Sequence, residues 1–107
     1  MATLLIRNGR LIDPSRNLDV QRDLWIRDGK VAPDDFAAER PDDVFDAAGM
    51  LVMPGFVDVH VHLREPGNEQ AETVETGCAA ALAGGFTTLV CMPNTIPAMD
   101  NPDVVRR

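Results

Sequence analysis

A chain of 107 residues suits one small domain or part of a larger one, and its 45% hydrophobic and 25% charged content is that of a folded protein, not a disordered one. A formal net charge of −7, with nine arginines and a single lysine (Lys30), leaves no basic stripe to neutralise phosphates, so nucleic acid is not an expected partner. The longest apolar run, around "AAGMLVMPGFVDV", is interrupted by Pro54 and too short for a bilayer, and "MATLLIRNGR" carries no signal peptide, so no membrane role is expected and the expected setting is the cytoplasm.

Residues 1–53 read as a small antiparallel β domain. Two apolar runs in "TLLIRNGRLID" flank Asn8-Gly9, a dipeptide suited to the positive φ angles of a hairpin turn. The stretch "DVQRDLWIRDGKVA" repeats the device at Asp28-Gly29. Two prolines and several aspartates in "PDDFAAERPDD" predict an exposed loop, and "VFDAAGMLVMP" returns to short strands around Ala48-Gly49. This segment reads as scaffold, with no visible chemistry.

From Pro54 the pattern changes. "GFVDVHVHL" predicts a strand with apolar residues on one parity and Asp58, His60, His62 and Arg64 on the other. From Glu69 to Ala83 the spacing predicts a helix, with Ala71, Val74, Cys78 and Leu82 recurring at three- and four-residue steps. Asn68 is its expected N-cap, and Glu69 and Glu72 fall where a helix start favours negative charge. Gly77 inside that helix implies close packing against a strand, and Gly84-Gly85 ends it. "FTTLVCMPN" predicts a second, continuously apolar strand, and "NPDVVRR" starts another helix with Pro102 at its first position. Cys78 and Cys91 form no CxxC pair and read as small core residues of a reducing compartment.

Strand, helix, strand and helix start make a parallel βα series, and an apolar second strand implies cover on both faces. His60 and His62 share one face of their strand, so both imidazoles can ligate one divalent metal, zinc being well suited. In a (β/α)₈ barrel the C-terminal strand ends carry the active site, which is where this pair falls. By itself His-x-His is also compatible with two satisfied strand histidines. Asp58 reads as an acceptor that orients a ligand or as a satisfied buried carboxylate. Arg64 reads as a surface charge or as a fork for a substrate carboxylate. Asn94, in "CMPNT", reads as a turn residue or as an amide that donates to and accepts from substrate.

The stretches "LVMPGFVDVHVHLREPG" and "ETVETGCAAALAGGFTTLVCMPNTIP" resemble the start of a long-form (class I) dihydroorotase of the amidohydrolase superfamily. The resemblance is strongest from about Ala47 to Asp100. It implies an α/β fold: a TIM-type metal-dependent hydrolase barrel begun by residues 54–107, after residues 1–53 as the N-terminal part of a composite β-sandwich, both incomplete in this chain. It implies that His60 and His62 ligate zinc, in a centre of one or two ions, and that Arg64 and Asn94 bind the carboxylate of dihydroorotate or N-carbamoyl-aspartate. The implied reaction is their reversible interconversion in pyrimidine biosynthesis, the metal polarising the amide carbonyl.

The remaining metal ligands and the catalytic aspartate of such enzymes lie on later strands, and a barrel takes about 250 residues. The chain is therefore expected to be an N-terminal fragment, inactive alone, of a protein that forms a homodimer or associates with aspartate transcarbamoylase. "PGFVDVHVH" is shared with hydantoinases, dihydropyrimidinases and allantoinases, whereas "LREPG" with "MPNT" favours dihydroorotase. A third reading, a non-catalytic dihydroorotase-like subunit supporting aspartate transcarbamoylase, is disfavoured by the intact His-x-His.

Overall fold

The computed structural model describes residues 1–106, in two units, Met1–Pro54 and the chain from Gly55 onward. The first unit is built from seven short strands: β1 (Thr3–Arg7), β2 (Arg10–Asp13), β3 (Leu18–Gln21), β4 (Leu24–Arg27), β5 (Lys30–Val31), β6 (Asp43–Asp46) and β7 (Leu51–Val52). They form two sheets, in orders β5-β4-β1-β6 and β3-β2-β7. Both are mixed, which corrects the antiparallel expectation: β1 runs parallel to β6, and β2 parallel to β7.

The Asp28-Gly29 turn forms as expected, with φ of 51° and 78° joining antiparallel β4 and β5. Asn8-Gly9 does not make a hairpin. Both edges of β1 are already occupied, by β4 and β6, so β2 leaves for the other sheet. Asn8 takes a left-handed φ of 66° and is fixed by Asp23, which accepts from its N–H, and by Asp46, which accepts from its side chain. A 3₁₀ turn at Pro14–Arg16, capped by Asp13, links β2 to β3. Residues 33–42 are a loop tied back to β1: Asp42 accepts from the N–H and hydroxyl of buried Thr3, and Thr3 Oγ1 accepts from the Asp42 N–H. Leu11, Ala32 and Ala47 are the buried apolar residues of this unit.

Its surface is held by carboxylates. Arg10 forks onto Asp19 across β2 and β3, with two bonds of 2.8 Å, and Asp34 takes both Arg16 and Arg22. These guanidinium hydrogen bonds hold the Asp19 and Asp34 carboxyls below their ordinary value. Asp46 is lowered chiefly by the Asn8 amide, then by the Ala48 N–H. A carboxyl depressed in the folded state stabilises above its unfolded pKa, about 3.9 for Asp, and the contribution disappears as pH falls through the folded value. The melting temperature should therefore drop below about pH 4, and Asp19→Asn should flatten that acid limb by a small amount because the pair is exposed. Melting curves across pH for both proteins test this, and superimposable acid limbs would contradict it.

The second unit contains β8 (Phe56–Val61), α1 (Val74–Ala83), β9 (Phe86–Cys91) and α2 (Pro102–Val105). β8 and β9 pair in parallel, with α1 as the crossover packed against β9. α2 begins as expected, with Pro102 at its first turn and Asn101 capping the N–H groups of Asp103 and Val104. α1 is shorter than predicted. Thr73, not Asn68, is its N-cap, in a reciprocal capping box with Thr76, while residues 68–72 form turns in which the Asn68 carbonyl accepts from Ala71 and Glu72. Glu69 is spent on a turn, where the Gly67 N–H holds its carboxyl below the ordinary value.

Gly77 is buried, and a Cβ there would meet Leu63 Cδ2 at 2.7 Å and Glu72 Oε1 at 2.8 Å. The close packing inferred from this glycine exists, although its partners are Leu63 and Glu72, which lie outside the strands. The two cysteines depart from expectation: both are free and exposed. Val57, Val59, Leu82 and Val90 are exposed as well, because a two-stranded sheet with one short helix cannot cover both of its faces.

Candidate active site

The strand β8 delivers its polar residues to one end of the sheet, but not by simple alternation. Between Asp58 and Val61 the register against β9 slips by one residue, a bulge that re-aims the side chains around Val59 and His60. Asp58 Oδ1 accepts from the His60 backbone N–H at 3.1 Å, so this half-buried carboxylate braces the backbone at the register shift. The His60 and His62 rings lie close together, centroids 5.2 Å apart and planes at 63°.

Extended geometry stops at Val61, and Arg64 sits in the left-handed region at φ 64°. Shared parity therefore does not carry Arg64 to the site. A turn does so instead: the Asn68 N–H donates to the Arg64 carbonyl, and the Ile96 N–H donates to the Pro66 carbonyl. That second bond ties the loop after β8 to the loop after β9. Arg64 and Asn94 consequently line one cavity of about 170 Å³, together with Pro66, Gly67, Asn68, Thr95 and Ile96.

Asn94 also reaches the histidine pair. Its Oδ1 lies 2.8 Å from His62 Nδ1. When the Nδ1–H donates to this oxygen, the lone pair of the neutral ring is left on Nε2, the form that ligates a metal. Two imidazoles at one strand end would suit zinc as part of a larger ligand set. No group of three or more His, Cys, Asp or Glu side chains able to hold a metal occurs among the described residues.

Two further contributors, Glu65 and Gly67, are not among the residues that the sequence pattern singles out. Glu65 Oε2 accepts from the Val74 N–H at 2.6 Å, satisfying a first-turn donor of α1 and pinning the loop that follows Arg64. Nothing in the local spacing marks a cap from nine residues upstream. Gly67 is the second, and the "PG" of "REPG" was a signal for it. At φ 110° its missing Cβ would lie 2.7 Å from the Ile96 carbonyl oxygen. Gly67→Ala should thus push the two loops apart and destabilise the protein by about 1–3 kcal/mol. The melting temperature of that variant should fall, and an unchanged value would refute the role.

No helix among the described residues is long and apolar enough to cross a membrane. The dihydro-orotase-like family model matches residues 49–106. Similar proteins include a dihydroorotase of Solibacter usitatus, 56% identical over 99 residues, covering 92% of this chain and 23% of that protein. A dihydroorotase of Aquifex aeolicus is 48% identical over 106 residues, covering 98% of this chain and 25% of its own. The L-hydantoinase (dihydropyrimidinase) structure from Arthrobacter aurescens matches with a TM-score of 0.79 and 31% identity, over 97% of this chain and 23% of that one. The chain thus spans about a quarter of the length of the curated relatives it matches. With the family match extending over more than half of its residues, from the strand before "MPGF" through the loop holding Asn94, the chain belongs to the dihydro-orotase-like family.

Proposed function

We propose that this chain is part of a zinc-dependent dihydroorotase that interconverts N-carbamoyl-aspartate and dihydroorotate in pyrimidine biosynthesis, and that residues from Gly55 onward begin its (β/α)₈ barrel. The observation that carries this reading is the cavity shared by Arg64 and Asn94, next to His62. An arginine and an asparagine lining one cavity suit a substrate carboxylate. His60 and His62 would hold zinc, with further ligands supplied by chain segments that the longer relatives possess. Zinc in that position would polarise the scissile amide carbonyl and activate water. Arg64 and Asn94 orient the substrate by its carboxylate, and the loops joined by Pro66 and Ile96 fix their spacing. The 107 residues alone are expected to be inactive, and the free, exposed cysteines suit a reducing cytoplasm.

A second reading, hydantoinase or another cyclic amidase, is favoured by the hydantoinase neighbour. Arg64 separates the two, because uncharged hydantoins offer it no anion. Assaying the full-length protein against dihydroorotate, allantoin and hydantoin tests the choice; turnover of only the latter two would overturn the dihydroorotase reading.

A further inference from the structure

The Asn94 amide has two ends with different demands on them. Its oxygen is engaged by His62 Nδ1 at 2.8 Å, while its Nδ2 donates to no protein group among the described residues and Asn94 lines the cavity that Arg64 also lines. A reversed amide would place Nδ2 against His62 Nδ1, which would then have to accept. The ring proton would move to Nε2, and the nitrogen needed for a metal would lose its lone pair.

We infer that Asn94 is a positioning residue for the metal ligand His62 as well as a substrate contact, so that one amide couples the orientation of the zinc site to carboxylate binding. The inference rests on the zinc-enzyme reading above. Its oxygen fixes the His62 tautomer and ring plane, and that fixing commits the NH₂ group to face the substrate anion. Metal affinity and substrate selection then share one side chain, and they separate by chemistry. An aspartate at this position can still accept from His62 Nδ1–H but cannot donate to a carboxylate, and it repels one. An alanine can do neither.

The experiment is zinc affinity by chelator competition, alongside KM for dihydroorotate, in the full-length wild type and its Asn94→Ala, Asn94→Asp and His62→Ala variants. Loss of a group hydrogen-bonded behind a metal ligand typically weakens metal binding roughly 10–100-fold, the fall expected for Asn94→Ala. Asn94→Asp is expected to bind zinc at least as tightly as wild type while its KM rises at least tenfold. Zinc affinity unchanged in Asn94→Ala, or lost equally in Asn94→Asp, would overturn the inference. His62→Ala is the control for the underlying reading: undiminished zinc binding there would overturn the metal site itself, whatever Asn94 does. Because Asn94→Asp restores the bond to His62, recovered zinc affinity in that variant excludes simple misfolding as the cause of the alanine defect.

Discussion

Replacing His60 or His62 by alanine in the full-length protein is expected to remove zinc and with it nearly all turnover. Each variant deletes one imidazole from a pair whose rings lie 5.2 Å apart at the end of β8. His60 and His62 are the only two histidines of the sequence, so neither replaces the other's ring. A metal that stabilises a developing oxyanion contributes several kcal/mol, and losing about 4 kcal/mol slows a reaction roughly 10³-fold. A far-UV spectrum and melting curve of each variant, matching wild type, show that folding survives the substitution. Zinc content by elemental analysis and kcat by assay check the prediction together. A His60→Ala enzyme with full zinc and normal turnover would remove His60 from the ligand set.

Much of the second unit was legible because its signals are local. Pro102 and Asn101 mark a helix start, and an uncharged run rich in β-branched residues, bounded by Gly85 and Pro93, marks β9. The start of α1 is ambiguous in the sequence because "NEQAETVET" offers several polar caps, and Thr73 wins through a box closed by Thr76, a residue less telling than glutamate at that position. In the first unit, the turn at Asp28-Gly29 could be read from two residues. The fate of Asn8-Gly9 could not, because it depends on which strands claim the edges of β1 from nearly twenty and forty residues away.

The site divides along the same line. Strand periodicity put His60 and His62 on one face without showing the register shift that lies between Asp58 and Val61, and it fails at Arg64, where the backbone turns left-handed. Arg64 nevertheless belongs beside Asn94, through the Pro66–Ile96 backbone bond between two loops. That tie and the bond from Asn94 to His62 are contacts between segments about thirty residues apart, and single-sequence pattern carries no information on such pairs. Both cysteines show the converse limit: an apolar pattern states which residues need cover, not whether 107 residues supply it.

Arg64→Ala in the full-length protein is expected to raise KM for dihydroorotate about 10²-fold or more while leaving zinc content unchanged. Arg64 is the one cationic residue lining the cavity, so its loss leaves the substrate carboxylate with neutral donors only. Hydrogen bonds to a charged group contribute about 1.5–3 kcal/mol each, and 3 kcal/mol is roughly a 10²-fold change in affinity. Arg64→Lys should recover part of this, since it restores charge without the planar fork that grips both carboxylate oxygens. The left-handed φ of 64° is common to all three side chains, so backbone strain does not distinguish them. An uncharged cyclic amide supplies the internal control: any residual turnover of it should be insensitive to the same substitutions. Equal losses on charged and uncharged substrates would mean that Arg64 supports the loop rather than the carboxylate, and the assignment of substrate class would fall with it.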